Sequence, residues 1–119
     1  ARGGNKSKGY KYSGSNDIDA VAWYGYETSG ETTHEVGTKQ PNELGLYDMS
    51  GNVWEYCWDW YGEYSSGNQT NPRGARTGVY KVLRGGSWLV GAFECRVAFR
   101  TFHPDFETYF YGFRLVRTK

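Results

Sequence analysis

The sequence predicts an α+β domain that is rich in loops and whose helices and strands are short. Its 119 residues include 17 glycines, which supply the positive-φ backbone conformations that turns need. Aromatic residues make up 18% of the chain and aliphatic residues are scarce, so we expect a core built largely from Trp and Tyr. Neither helical nor strand periodicity extends far. At this length we expect one domain, residues 1–119.

The first half of the chain contains little regular structure. Residues 1–17 are polar and rich in Gly, Ser and Lys, which predicts an irregular strand and loop. The apolar run at 19–26 suits either a strand or one buried turn, and residues 27–43 carry turn-forming residues throughout. The segment at 44–61 is the most structured, and its part at 52–61 fits either a short helix or a strand.

The second half begins with a polar loop and contains two predicted strands. Residues 62–78 read as a surface loop, and residues 79–88 as a strand that ends in a glycine bend. Residues 111–117 predict a closing strand with Phe113, Leu115 and Arg117 on one face.

Charge and hydropathy exclude some functions. A net charge of +1 argues against electrostatic binding to nucleic acid or to anionic membranes. No apolar run approaches the length of a membrane span, so we expect no direct insertion into a bilayer. The chain opens without a Met and shows no signal peptide, so we expect a fragment or a processed product.

Two cysteines, Cys57 and Cys95, leave several roles open. They could be two buried thiols or one disulfide bridge. A catalytic role, or a soft-metal site that uses both thiols, is the alternative.

The stretch at 85–116 is unusual because its large apolar side chains stand where loops are expected. They alternate with Arg, Asp, Thr, His and Gly and follow neither a helical stripe nor strand alternation. Exposed aromatic residues in loops indicate recognition of a ligand rather than stabilisation of a core. The rings concerned are Phe93, Phe99, Phe102, Phe106, Tyr109 and Phe110.

Six segments, taken in order, resemble the formylglycine-generating-enzyme (sulfatase-modifying factor) family, a variant of the C-type lectin fold. The resemblance implies a C-type lectin-like fold and places this chain in the C-terminal half of the family's domain. The segments are ARGG at 1–4, NELGLYDMSGNVWEYCWDWY at 42–61, LRGGSW at 83–88, CRVAFR at 95–100, Pro104-Asp105 and YGFRLV at 111–116.

The resemblance also bears on catalysis. Active members oxidise a substrate cysteine to formylglycine with copper held by two cysteine thiolates. The first thiolate position is Val90 here, and the second falls on Cys95, which could equally match a later structural cysteine. One thiolate cannot replace two. We therefore expect no enzyme activity and no copper, with a copper oxidase or a related thiol or metal enzyme as the alternative.

Within the same fold, the chain most resembles the variable proteins of diversity-generating retroelements. In these proteins chosen Asn codons are rewritten by mutation at adenines, and the scaffold around them is unchanged. The resemblance implies a variable ligand-binding region at 89–110 that binds a protein or cell-surface ligand, on a cell surface or phage particle. A binding module without diversification is a further alternative. The predicted variable residues are Leu89, Val90, Gly91, Phe93, Phe99, Thr101, Phe102, His103, Phe106, Thr108, Tyr109 and Phe110.

Each of those residue types can be reached from AAC or AAT by changing adenines alone. Glu94 and Glu107 cannot be reached in this way, so we expect them to be fixed.

A structural calcium ion is also implied by the resemblance. Asp48 and Glu55 would supply side-chain oxygens, and Gly51 and Val53 would supply backbone carbonyls. The alternative is that both acidic residues cap turns and pair with arginines. Arg96, Arg100 and Arg114 are candidates for such pairs, with Asp59, Asp105 or Glu55 as partners.

Overall fold

The computed structural model describes residues 2–64, 66–70, 72–104 and 110–117. Its regular elements are a 3-10 helix at Gly4–Lys6, helix α1 at Tyr26–Ser29, and strands β1 at Trp54–Trp60, β2 at Lys81–Arg84 and β3 at Tyr111–Gly112. The elements are short and loops connect them, as predicted. Within these ranges no helix is long and apolar enough to cross a bilayer.

Strand β1 is the centre of a three-stranded sheet. It pairs antiparallel with β2 and parallel with β3, in the order β2-β1-β3. Aromatic side chains favour a pleated, half-buried surface, which explains why the run at 54–60 forms a strand rather than a helix. The register with β2 shifts between Tyr56 and Trp60, so the sheet is irregular there.

Strand β2 ends in the predicted glycine bend, and this bend needs glycine. Gly85 and Gly86 have φ values of 94° and 76°. A Cβ atom on Gly86 would lie 2.5 Å from Cys95 Sγ, so the missing side chain lets the following loop return against the strand.

The predicted closing strand at 111–117 is wrong beyond Gly112. Phe113 and Leu115 are 72% and 91% exposed, and residues 113–117 form no strand. Alternation of apolar and polar residues shows that a segment could form a strand with one apolar face, but it does not show that a partner strand is present. Among the described residues no neighbouring strand pairs with this segment, so nothing buries its apolar face.

Three smaller differences concern the N-terminal part. The irregular strand expected at 1–17 is reduced to one bridge between Tyr12 and Ser15. The run at 19–26 forms the buried turn rather than a strand, with Val21 and Ala22 donating to the Ile18 carbonyl. Helix α1 lies partly in a segment expected to be turns throughout.

The hydrophobic core is small. One cluster joins Tyr12, Val21, Ala22 and Cys95, and Val90 packs against its edge. Val82 and Leu83 of β2 are also buried. Much of the remaining interior is polar, and the buried polar residues are Ser13, Ser29, Asn42, Asp48, Ser50, Asn52 and Ser87.

Residues 48–52 form a buried turn that we call the polar hub. Ser50 Oγ accepts a hydrogen bond from the Ser13 amide at 3.2 Å and donates one to the Cys95 carbonyl at 2.9 Å. The Gly51 amide donates to the Gly85 carbonyl at 2.8 Å. The hub thus connects the N-terminal segment to the glycine bend and to the loop that follows it.

Asn52 extends the polar hub on its other side. Its amide donates to the Trp23 carbonyl at 2.7 Å, and its carbonyl accepts from the Trp88 amide at 2.8 Å. Its side chain exchanges two hydrogen bonds with the backbone of His34, at 3.0 and 3.1 Å. Asn tolerates the left-handed backbone found here, with φ of 64°.

Gly51→Ala should destabilise the fold strongly. Gly51 has φ of 78°, and a Cβ atom would lie 2.4 Å from the Trp23 carbonyl oxygen. Strain and clash together should reduce the free energy of unfolding by about 3 kcal/mol, measured by urea denaturation. Gly45→Ala is the matched control, since Gly45 has φ of 76° with open space around it, and it should lose only about 1 kcal/mol. Equal losses would contradict the steric argument.

Candidate ligand-binding site

The predicted variable region begins directly after the glycine bend. The structure describes its residues 89–104 and 110, whereas Phe106, Thr108 and Tyr109 lie outside the described residues. Phe93 is 57% exposed and Phe102 36% exposed. Leu89, Gly91 and His103 are exposed as well.

Other members of the predicted set are less accessible. Val90, Phe99, Thr101 and Phe110 are half-buried. Val90 packs at the edge of the core cluster, and Thr101 forms a bridge with Leu83 of β2. The structure therefore separates the predicted residues into an exposed group and a group that also supports the scaffold.

Four rings of the predicted set lie on aromatic rings that belong to the rest of the chain. We call the latter the platform rings: Trp54, Tyr61, Tyr80, Trp88 and Tyr111. The ring-centroid separations are 6.0 Å for Phe99–Trp54, 4.5 Å for Phe102–Tyr61, 4.8 Å for Phe102–Tyr80, 5.7 Å for Phe110–Trp88 and 5.8 Å for His103–Tyr111. Such contacts add about 0.5–1.5 kcal/mol each beyond the buried area.

The sequence reasoning missed this platform. The many Trp and Tyr residues at 54–61 could have indicated such a platform, but the same residues are equally compatible with a hydrophobic core. Only the folded chain shows that these rings lie under the variable region.

The main chain of the region is held by groups outside it. Arg84 donates to the Phe99 carbonyl at 3.1 Å, and Leu83 exchanges two backbone hydrogen bonds with Thr101, at 2.8 and 3.0 Å. The Gly25 amide donates to the Val90 carbonyl at 2.8 Å. All of these bonds use main-chain atoms of the predicted variable residues, so a change of side chain leaves the bonding groups in place.

Arg114 forms one of the predicted ion pairs. Its Nε donates to both carboxylate oxygens of Glu55, at 2.7 and 2.8 Å, and a terminal nitrogen donates to the Asp48 carbonyl at 2.8 Å. Charge-assisted contacts with both oxygens fix the orientation of the guanidinium. This arginine therefore ties the chain after β3 to β1 and to the polar hub.

For Arg96 and Arg100 the structure favours aromatic partners over carboxylates. The guanidinium carbon of Arg96 lies 3.6 Å from the Phe93 ring centroid, and that of Arg100 lies 3.7 Å from the Tyr64 centroid. Neither forms an ion pair with a described carboxylate. Asp105, proposed as a partner, lies outside the described residues. The nearby ring faces attract the cations instead.

The predicted calcium ligands are only partly brought together. Asp48, Val53 and Glu55 line one groove of about 570 Å³, next to Arg114. Asp48 Oδ2 accepts from the Gly37 amide at 2.7 Å, whereas its Oδ1 is buried and has no hydrogen-bond partner among the described residues. A buried carboxylate oxygen without a partner is costly, so Asp48 fits a hard cation.

Glu55 fits the ion less directly because both of its oxygens already accept from Arg114. A carboxylate offers roughly four acceptor positions, so capacity remains. Across the described ranges, no three His, Cys, Asp or Glu side chains cluster closely enough to hold a metal ion by themselves.

The two cysteines are free thiols, which excludes the bridge. Cys95 is fully buried, and burial, with the Glu94 charge adding to it, raises the pKa of its thiol to about 12. Cys57 is half-buried, and burial is the largest cause that raises its pKa as well. The raised pKa values favour the protonated form of both thiols in the metal-free chain.

Comparison with known proteins identifies what the chain resembles. The sulfatase-modifying factor enzyme 1-like domain matches residues 1–119. The solved structure of Treponema denticola variable protein 1 has a TM-score of 0.83 and 41% identity, covering 95% of this chain and 41% of that one. These findings confirm the predicted family resemblance and fold class.

Two curated relatives are also similar. The formylglycine-generating enzyme of Thermomonospora curvata is 42% identical over 91 residues, covering 69% of this chain and 30% of the enzyme. Chaperone protein LppX of Paenibacillus barcinonensis is 32% identical over 141 residues, covering 100% of this chain and 45% of LppX. The chain therefore spans less than half the length of these relatives.

We expect the two thiols to differ in reactivity toward a disulfide reagent at about pH 8. Native Cys95 should react at least about a thousandfold more slowly than in urea, because it reacts only when the structure opens. Cys57 should show a smaller reduction. Labelling of the variants Cys57→Ala and Cys95→Ala shows which of the two reaction rates belongs to which thiol. Rapid labelling of Cys95 in the native chain would contradict its burial.

Proposed function

The chain belongs to the sulfatase-modifying factor enzyme 1-like family, and we propose that it is a non-catalytic ligand-binding protein whose region 89–110 is diversified by a retroelement. The observation that carries the proposal is that the main chain of this region is bonded to the scaffold while several of its side chains are exposed. Its main chain is held by Arg84, Leu83 and Gly25, while Phe93 and Phe102 present their rings to solvent. Such a loop can change its side chains and keep its backbone.

The exposed side chains suit a macromolecular ligand. Large rings supply contact area at a low cost in conformational entropy, and aromatic residues dominate the binding energy of protein interfaces. Phe93 and Phe102 would act as anchors, with the small residues around them shaping the surface. We propose a protein or another cell-surface feature as the ligand, and a cell surface or phage particle as the location.

The copper oxidase is the alternative that the likeness to formylglycine-generating enzymes favours. Two observations support the non-catalytic proposal instead. Val90, at the position that the family resemblance gives to the first thiolate, has no ligand atom and packs against the core cluster. Cys95 is fully buried beneath the glycine bend, where it packs in the core cluster with Tyr12 and Val21.

Sequencing the DNA around the coding gene tests the proposal. We expect a near-copy of the segment that encodes residues 85–116, next to a reverse-transcriptase gene. The two copies should differ only at adenines, in codons of the predicted variable residues. Absence of a copy would leave a static member of the fold, and oxygen uptake with copper and a cysteine peptide would then test for the oxidase.

A protein-level control accompanies the sequencing. Leu89→Asn and Gly91→Asn restore the residue expected from the template at two exposed positions, and should each change the free energy of unfolding by less than about 1 kcal/mol. Leu83→Ala, in the buried part of β2, should lose about 2–5 kcal/mol. Losses of similar size in all three variants would argue against a display role.

We also propose that Asp48 holds a structural calcium ion through its buried Oδ1, with the Gly51 and Val53 carbonyls and Glu55 completing the set. Calcium that binds only the folded chain stabilises it, by about 2.7 kcal/mol at a hundredfold excess over the dissociation constant.

Thermal unfolding with and without calcium tests this site. The melting temperature should rise with calcium in the parent chain and not in Asp48→Asn. Asp17→Asn, an exposed position away from the groove, is the matched control and should respond like the parent. A calcium response that survives in Asp48→Asn would refute the site.

A further inference from the structure

A second groove lies beside the variable region and is formed mostly by residues outside it. It has a volume of about 780 Å³ and runs between residues 9–11, the segment at 61–64 and the loop at 96–100. We call it the cationic groove, because four of its side chains are positively charged and one is acidic. The cations are Arg2, Lys11, Arg96 and Arg100, and the carboxylate is Glu63.

The positive charge of the groove is not neutralised from within the described chain. None of the four cations lies within ion-pair distance of a described carboxylate. Lys11 and Arg2 are exposed, whereas Arg96 and Arg100 are half-buried. Cations that neighbour one another without counter-charges favour an anionic ligand.

Two of these cations are held in place by rings instead. Arg100 lies over the Tyr64 ring at 3.7 Å and near the Tyr61 ring at 4.9 Å. Arg96 lies over the Phe93 ring, and its Nε donates to the Phe93 carbonyl at 3.0 Å. Stacking restrains the planar guanidinium and leaves most of its N–H donors available, which lowers the entropy cost of binding.

The walls of the groove are joined by hydrogen bonds. The Val97 amide donates to the Lys11 carbonyl at 3.0 Å, which ties the N-terminal wall to the loop at 96–100. Arg84 donates to the Val97 and Phe99 carbonyls from below, at 3.4 and 3.1 Å. The cations therefore stand on a backbone that is fixed before any ligand binds.

We propose that the cationic groove binds an acidic peptide segment of a protein ligand. The guanidinium fork matches the geometry of a carboxylate, and Tyr10 in the wall of the groove adds apolar surface for the peptide between the carboxylates. A nucleic-acid backbone is disfavoured by the net charge of +1, because such binding draws on positive charge spread over a long surface, whereas a short peptide needs only the cations of the groove. Arg96 and Arg100 are outside the predicted variable set, so the charge of the groove does not depend on diversification, whereas the Phe93 ring beneath Arg96 does.

Fluorescence anisotropy of the full chain with a labelled poly-glutamate peptide tests the proposal. We expect binding that weakens as salt rises from about 50 to about 200 mM. Arg100→Gln and Arg96→Gln should each reduce affinity by about tenfold or more, the effect of one lost charge-assisted hydrogen bond. Arg76→Gln removes the same charge from the exposed loop outside the groove and should change affinity by less than about twofold.

Two further readouts separate binding from folding and from general charge attraction. Unchanged urea midpoints for Arg96→Gln and Arg100→Gln would assign the loss of affinity to the groove, and Arg100→Lys should recover only part of it because the fork is lost. If an Arg100→Gln midpoint falls, Lys11→Gln, whose side chain is exposed, provides the same test. No binding by the parent chain, an equal loss in Arg76→Gln, or tighter binding of a single-stranded oligonucleotide would each overturn the proposal.

Discussion

The polar hub at 48–52 is the constraint on which the rest of the structure depends. Its hydrogen bonds reach the N-terminal segment through Ser13 and the turn at 19–26 through Trp23. They reach the loop after β2 through Gly85 and Trp88. Ser13, Ser50 and Asn52 are buried, and a buried donor or acceptor without a partner costs about 1–3 kcal/mol. A core with few aliphatic residues thus gains its specificity from hydrogen bonds that must all form together.

This arrangement separates the groups that hold the backbone in place from the side chains that reach solvent. The hub and β2 hold the backbone of the region at 89–104 from one side, while several of its side chains reach solvent on the other. The platform rings contact four rings of the predicted variable set, so they offer aromatic side chains a surface to pack on. A fold built in this way keeps its backbone when the exposed side chains change, which is what a diversified binding surface requires.

Arginines perform three different tasks in this small domain. Arg84 donates to main-chain carbonyls, Arg114 neutralises Glu55, and Arg96 and Arg100 rest on aromatic rings. Each arginine takes its role from the groups near its guanidinium, which are carbonyls for Arg84, a carboxylate for Arg114 and ring faces for the other two. Neither Arg96 nor Arg100 forms an ion pair with a described carboxylate, and both line the cationic groove.

The sequence by itself determined the family, the loop-rich α+β class and β2 with its glycine bend, because motifs and local conformational preferences lie in short stretches of residues. Tertiary structure decided the rest. It selected a strand at 54–60 through pairing on both edges, chose Glu55 as the partner of Arg114, ended β3 at Gly112 where no described strand continues beside it, and left Cys95 a buried free thiol. It also placed the platform rings against four rings of the predicted variable set. These outcomes depend on contacts between residues far apart in the chain, which no local pattern encodes.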